Sequence, residues 1–382
     1  MKIGIITMYY NSSNYGGILQ AYALTEAIKK MGIDSEQICY NHYSAFSAKR
    51  RLKMRLNRYL PIMKNPINIY VQYKINRRTK IIVKDAKKLV PHSKNVFGER
   101  NIKSCVLDYD VFITGSDQVW HGDWPAYFLD FVPNGIKKIA YAASTGKSFL
   151  TKKEIDYIKE KTESYTAISV RENDIKDQLS KSMKQAVKWV LDPTLILDRQ
   201  DWEDIVSNKK NDKPYMFCYF LGRDKRIRDL AKAYACEHNI EIITIPHMQG
   251  RVESVDLGFG DMQLFDTTVE DFLSYIKYAR IVFTDSFHAS VFSHIFETQF
   301  VCFGRSEHKE MNNRMISLTQ LFGTENHFIH EEKDFNIDYI KSMQNIDYTI
   351  VRHEYNLLKR TSLRYLYDSI MTQNNKSLEQ NK

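Results

Sequence analysis

The sequence predicts an α/β protein made of two doubly wound parallel-sheet domains that face a cleft. Three observations lead there. Short apolar runs alternate with segments of helical period along most of the chain. The alternation comes as two series separated by a polar stretch, DRQDWEDIVSNKKNDKP at 198–214. The 382 residues also exceed the ~250–300 that one core usually organises.

The first series opens with KIGIITM (2–8), a buried strand running into the polar turn NSSNYGG and then a helix, LQAYALTEAIKKMG. YDVFITG (109–115), KKIAYAAS (137–144) and TAISVRE (166–172) follow as strands, with helices over 151–163 and 173–182. In the second series the strands are YMFCYFLG (215–222), EIITIP (241–246), RIVFTDS (280–286) and FVCFGR (300–305), with helices over 226–238, 269–278 and 288–296. The expected division is a first domain over 1–200, a second over 210–335, a helical segment over 336–372 and a disordered tail over 373–382. A basic insert over 45–95 interrupts the first domain: between Lys49 and Lys94 there are 15 Lys and Arg and one acid, Asp85. The whole chain carries +9, so the positive balance belongs to that segment.

Five scattered cysteines without a CxxC pair argue against a disulfide framework or a zinc site and fit a reducing cytosol. No secretory signal and no apolar run of membrane-spanning length is legible, so a cytoplasmic location is expected. Walker A, HExxH and Gly-x-Ser-x-Gly patterns are missing and no Asp-x-Asp suits a divalent metal, which disfavours metal-dependent phosphoryl transfer and triad hydrolysis. Neither a metal nor a resident cofactor is expected.

Three constellations fall where parallel strands end. Asn14-Tyr15-Gly16-Gly17 reads either as a tight turn or as a ligand loop with close backbone approach. Gly115-Ser116-Asp117-Gln118, followed by Trp120, His121, Asp123 and Trp124, has the make-up of a carbohydrate pocket, with acceptors for hydroxyls and rings for stacking. Its plainer reading is a helix cap beside core tryptophans. Thr284-Asp285-Ser286, with His288 and Ser290 opening a helix, places an imidazole that titrates near neutrality at a positive helix end. Arg171 stands just past a strand, for a carboxylate or phosphate or for a salt bridge with Glu172 or Asp174. Arg305, His308, Lys309, Asn313 and Arg314 form a donor cluster or a solvated loop, and Asp192-Pro193-Thr194 reads as a turn leaving the first domain.

Taken in order, NYGGILQAYAL, ITGSDQVW, ISVRE, LDPTLIL and TDSFHASVFSHIF resemble the polysaccharide pyruvyl transferase family, from residue 1 to about 325. The resemblance implies two Rossmann-like domains arranged as in GT-B glycosyltransferases. It also implies phosphoenolpyruvate as donor, and a ketal-linked pyruvate on two hydroxyls of a sugar in a bacterial surface glycan. It assigns Arg171 and His288 to the donor site. Some members have an arginine two residues before that histidine, where this chain has Ser286; Arg223, Arg305 or Arg314 is expected to supply the charge. On this reading His288, Arg171 and Asp117 are catalytic, and Ser286 and Ser290 join the donor site. Asn14 to Gly17, Ser116, Asp117, Gln118 and Trp120 then bind the acceptor on the opposite wall. Replacing His288 or Arg171 is expected to cost turnover without unfolding the chain. The basic segment 49–94 would meet an anionic membrane surface where a lipid-linked acceptor resides. Two alternatives stand beside this: a GT-B-like glycosyltransferase or nucleotide-sugar epimerase using Asp285 or Glu253, and a non-catalytic glycan- or nucleic-acid-binding protein, for which charge confined to one segment is a poor fit.

Overall fold

The computed structural model describes residues 1–59, 66–247, 254–305 and 312–372. The first sheet has seven parallel strands in the order β3-β2-β1-β4-β5-β6-β7: β1 (Lys2–Ile6), β2 (Asp34–Tyr40), β3 (His92–Phe97), β4 (Val111–Thr114), β5 (Lys137–Ala143), β6 (Ala167–Val170) and β7 (Val187–Trp189). The second has six in the order β10-β9-β8-β11-β12-β13: β8 (Tyr215–Tyr219), β9 (Glu241–Thr244), β10 (Met262–Gln263), β11 (Ile281–Thr284), β12 (Phe300–Phe303) and β13 (Phe328–Ile329). Strand order reverses between β1 and β4 in one sheet and between β8 and β11 in the other. Open α/β sheets bind ligands beyond strand C-termini at such reversals, because the flanking helices diverge there.

The helices α1 (Tyr15–Lys30), α4 (Lys152–Thr162), α5 (Asn173–Ser180), α7 (Lys225–His238), α8 (Val269–Lys277) and α9 (Phe287–Phe296) lie within a residue or two of the segments whose period predicted them, apart from the start of α1. That helix takes in Tyr15, Gly16 and Gly17, with the Asn14 side chain accepting from Gly16 N. The glycine pair is therefore the first turn of a capped helix rather than a loop. Between α5 and α7 lies the short α6 (Arg199–Glu203).

The basic segment does not interrupt the alternation. Its helices α2 (Ala48–Tyr59) and α3 (Pro66–Leu89) form the crossover from β2 to β3. The sequence reading missed β2 and β3 because DSEQICY and HSKNVF are mostly polar, and polar strands lose the apolar signature. α3 also bridges the two domains. Its Arg78 is buried and donates to Pro246 O at 2.6 Å, and Asp85 accepts from Val269 N at 2.7 Å, meeting the positive first turn of α8. Tyr15 seals the same seam, stacked on Phe272 with centroids 4.6 Å apart and its hydroxyl 2.6 Å from Thr267 Oγ1. After α10 (Asn313–Phe322) and α11 (Ile337–Ser342), α12 (Tyr348–Met371) returns to the first domain. There Lys137 Nζ donates to Ile370 O at 2.6 Å and Leu191 N donates to Ser362 Oγ at 3.0 Å. The tail over 373–382 and the pair His308 and Lys309 lie outside the described residues.

His294 lies on α9, buried and stacked on Phe322 at 4.0 Å, and burial pushes its pKa down to about 3. The unfolded chain takes up this proton near pH 6.5 while the folded one resists until about 3, so stability must fall as pH drops through that window, by about 1.4 kcal/mol per pH unit at most. A His294→Gln variant is expected to lose less melting temperature than the native chain between pH 6.5 and 4; identical losses would assign the acid sensitivity elsewhere.

Candidate active site

Arg171, immediately after β6, organises the site. Its side chain is 3% exposed and all three of its nitrogens have protein partners. Nε donates to Glu172 Oε1 at 3.2 Å, Nη1 to Asp192 Oδ2 at 2.9 Å and Nη2 to Ser144 Oγ at 3.0 Å. Asp117 Oδ1 stands 3.8 Å from Nη1. Burial opposes the guanidinium charge, but Glu172, Asp192 and Asp117 outweigh it and hold the pKa above its ordinary value. Burial likewise opposes the Asp192 charge; His288 and Arg171 beside it, with the Thr194 donors, keep that carboxyl below its ordinary range.

Around this arginine the loops at the first switch point close together. Thr7 Oγ1 donates to Ser116 O at 3.0 Å, Gln20 Nε2 to Thr7 Oγ1 at 2.9 Å, and Ser116 N to Gln20 Oε1 at 3.0 Å. A Cβ on Gly115 would lie 2.0 Å from Tyr141 O, so only glycine fits there. Asp117 takes φ 58, the left-handed region that an L-residue enters at a cost, and this aims its carboxylate between Gly17 and Arg171.

The second domain supplies His288. Its ring lies against the backbone of Gly16: a Cβ there would be 2.0 Å from His288 Nδ1. Its Nε2 is 3.9 Å from Asp192 Oδ2, and has no hydrogen-bond partner among the described residues. Burial depresses its pKa, partly offset by Asp192 and Asp117, and so favours the neutral imidazole. Phe287 lies between two guanidiniums, with Arg171 4.8 Å and Arg314 5.7 Å from its ring centroid. Arg314, on α10, has its Nε buried without a hydrogen-bond partner among the described residues. Burial, then Arg305 and Arg171 nearby, bring its pKa down to about 9. A buried guanidinium nitrogen without a hydrogen-bond partner is costly to keep, and an anion relieves that cost. Arg305 is turned to Asp285, with Nη2 3.0 Å from the backbone oxygen and Nε 3.5 Å from Oδ2.

The structure thus gathers Asp117, Arg171 and the Gly16–Gly17 turn of the first domain with His288 and Arg314 of the second in one cluster. Several predicted contacts are committed elsewhere. Tyr15 is buried in the domain seam, and Asn14 caps α1. Trp120 is buried and stacked on Phe128 at 5.6 Å, leaving no face for a sugar. Ser116 is fully buried and its hydroxyl donates to Ala142 O at 2.9 Å. Ser290 donates to Ser286 O at 3.1 Å, and Ser286 caps α9 through Ala289 N. Gln118 packs over Gly146, and Arg223 is exposed in the turn after β8. Asp285 accepts from Leu221 N at 2.6 Å and Gly222 N at 2.7 Å, which makes it a brace for that turn; Glu253 lies outside the described residues.

Sequence reasoning missed Asp192, Ser144, Phe287 and the clustering role of Glu172. Ser144, Glu172 and Asp192 all follow strand ends, after β5, β6 and β7, and that position was the available signal. Asp192 reads in sequence as a turn residue, and it does cap Thr194 through Oδ1 at 3.0 Å while Oδ2 faces the arginine.

With this geometry in hand, similarity to known proteins adds the class. The two parallel-sheet domains form a GT-B-like fold: UDP-GlcNAc 2-epimerase from Methanocaldococcus jannaschii, solved with UDP-GlcNAc and UDP, aligns over 96% of this chain and 99% of its own at TM-score 0.52 and 14% identity. UDP-N-acetylglucosamine 2-epimerase from Rickettsia bellii aligns over 96% of each chain at TM-score 0.54 and 11% identity. At such identities the likeness is one of fold. No curated protein matches the sequence significantly. The polysaccharide pyruvyl transferase family model matches residues 14–307, most of the chain, and the protein belongs to that family.

The ion network corrects one expectation. Arg171→Ala strands three carboxylates in a buried site, so it should cost about 3–5 kcal/mol of stability as well as activity. His288→Ala, which removes a group making no hydrogen bond through Nε2, should leave the melting temperature nearly unchanged. Thermal melts of the two variants check this; equal melting temperatures would show that Arg171 does not hold the strand ends.

Proposed function

We propose that the chain transfers pyruvate from phosphoenolpyruvate to two hydroxyls of a sugar in a surface-glycan precursor, forming a cyclic ketal. The observation that carries this reading is the pair of buried nitrogens without a partner among the described residues, Arg314 Nε and His288 Nε2, on one side of a cluster whose other side presents Asp117. Family membership supports the transferase class.

In this scheme Arg314 and His288 receive the donor's phosphate or carboxylate, with Arg305 behind them. Arg171 is given a positioning role, since each of its nitrogens already bonds Glu172, Asp192 or Ser144. The phosphate raises the depressed His288 pKa, and the imidazole takes up a proton. Delivered to the methylene carbon, that proton leaves an oxocarbenium-like centre at the neighbouring carbon. One sugar hydroxyl adds there as Asp117 accepts its proton, and the second hydroxyl displaces phosphate and closes the ring. Two hydroxyl protons are released: one restores the proton spent on the new methyl group and the other leaves with phosphate. Phosphoenolpyruvate is a co-substrate here, and no resident cofactor or metal enters the scheme. The nucleotide-sugar alternative has less support, because Asp285 is consumed by backbone donors.

Incubating the enzyme with phosphoenolpyruvate and candidate lipid-linked sugars should yield products heavier by one pyruvate less one water, by mass spectrometry. His288→Ala and Arg314→Ala should each lower the rate at least ~10²-fold. Calorimetry of phosphoenolpyruvate binding at neutral pH, in two buffers of different ionisation enthalpy, should show proton uptake. Stabilisation by nucleotide sugars in a thermal-shift panel, with none by phosphoenolpyruvate, would overturn the reading.

The lipid-linked acceptor brings in the basic segment. Among the described residues no helix is long and apolar enough to cross a membrane. On α2, Leu52, Met54 and Leu56 are exposed among Lys49, Arg50 and Lys53, while Tyr59 and Leu60 lie outside the described side chains. This pattern supports peripheral contact with an anionic leaflet, at ~1 kcal/mol per basic residue near the surface. Sedimentation with anionic vesicles should carry the native chain down at low salt and lose it at high salt. Changing Arg51, Lys53, Arg55 and Arg58 to Gln should weaken the binding several-fold; insensitivity to both salt and substitution would remove the membrane role.

A further inference from the structure

Beyond the ion cluster, the C-terminal edge of the first sheet carries a group of rings that the proposed chemistry does not use. After β2, His42 and Tyr43 lie with ring centroids 4.1 Å apart, and Tyr43 and Phe46 at 6.0 Å. Trp124, from the loop after β4, approaches Phe46 to 5.5 Å and His42 to 6.0 Å. The guanidinium of Arg50 sits 4.1 Å from the Phe46 centroid. These rings are only partly covered: Tyr43 is 45% exposed, and His42, Phe46 and Trp124 are half-buried.

A single exposed ring needs no explanation, but four in mutual contact are an apolar ledge kept open to solvent. The ledge is held rigidly from below. Ser44 Oγ accepts from Glu99 N at 2.9 Å, and Trp124 Nε1 donates to His121 O at 3.1 Å. Its rim is polar, with His121, Asp123 and Glu99 exposed. Ring faces bordered by acceptors and donors are the surface that a pyranose recognises: its C–H face stacks while its hydroxyls bond at the edge.

The ledge shares a loop with the candidate active site. One loop holds Asp117 beside Arg171 at its start and Trp124 on the ledge seven residues later. β2 and β4 flank β1 in the sheet, so their ends are about 10 Å apart at ~4.8 Å per strand. We infer that this ledge is an acceptor subsite, binding a sugar ring one or two units along the glycan from the one that would receive pyruvate. The assignment rests on the pyruvyl-transfer reading for the word acceptor, while the binding itself does not need phosphoenolpyruvate.

The test is a glycan array of mono- to tetrasaccharides probed without phosphoenolpyruvate, using the native chain, Tyr43→Ala/Trp124→Ala and Tyr43→Phe/Trp124→Phe. For the best glycan series, the native chain should bind the di- or trisaccharide more tightly than its monosaccharide. The alanine pair should lose that gain, about 10-fold, and the phenylalanine pair should keep most of it. The thermal shift given by phosphoenolpyruvate should be the same in all three. An array on which no longer glycan outbinds its monosaccharide overturns the subsite, as does an alanine pair that binds like the native chain. Loss of binding in the phenylalanine pair as well, with the melt unchanged, also overturns stacking as its basis. Loss of vesicle binding in the alanine pair, with the array unchanged, would give the ledge to the membrane instead. If the array behaves as expected while no ketal forms, the subsite stands and the pyruvyl-transfer reading falls.

Discussion

A guanidinium buried to 3% exposure is the constraint on which the rest of the site depends. Arg171 can be held there only if carboxylates accompany it, because an unpaired charge of that depth costs several kcal/mol. Its partners come from the ends of four neighbouring strands: Asp117 after β4, Ser144 after β5, Glu172 with the arginine after β6, and Asp192 after β7. One side chain thereby fixes the C-terminal edge of half a sheet, and sets Asp117 and Asp192 at defined positions before any ligand arrives. Such preorganisation is what transition-state stabilisation requires, since little remains to be rearranged during the reaction.

The network is completed across the domain seam. Gly16 has no side chain, which lets the His288 ring from the other domain lie on the start of α1, and Asp192 is its nearest carboxylate at 3.9 Å. The site therefore exists only when the domains are together. Tyr15 against Phe272, Arg78 on Pro246 and Asp85 at the start of α8 hold them so. A segment that looks in sequence like a charged insertion is in part a strut of that seam. On α3 Ile75, Arg78, Ile82 and Asp85 face inward, while α2 leaves Leu52, Met54 and Leu56 outward.

Within this frame the arginines divide their work. Arg171 and Arg305 are matched by acids of the protein, whereas among the described residues the buried Nε of Arg314 and Nε2 of His288 have no hydrogen-bond partner. The frame itself is shared with enzymes that handle UDP-sugars, at 14% identity or less among those compared.

The sequence by itself determined the two-series α/β plan and most helix limits, because apolar period is a local property that burial imposes on each element separately. It located the strand-end motifs around Gly16, Asp117, Arg171 and His288 for the same reason. It failed on polar strands such as β2 and β3. Which groups meet across the sheet and across the seam was decided by tertiary structure alone. Tyr15, Trp120 and Ser116 have the make-up of ligand contacts but are spent on packing and backbone bonds, while Asp192 looks like a turn residue and pairs with the arginine. Residue type states what a side chain can do. Whether its donors, acceptors and faces are still free depends on neighbours far away in the chain, and a linear pattern does not contain them.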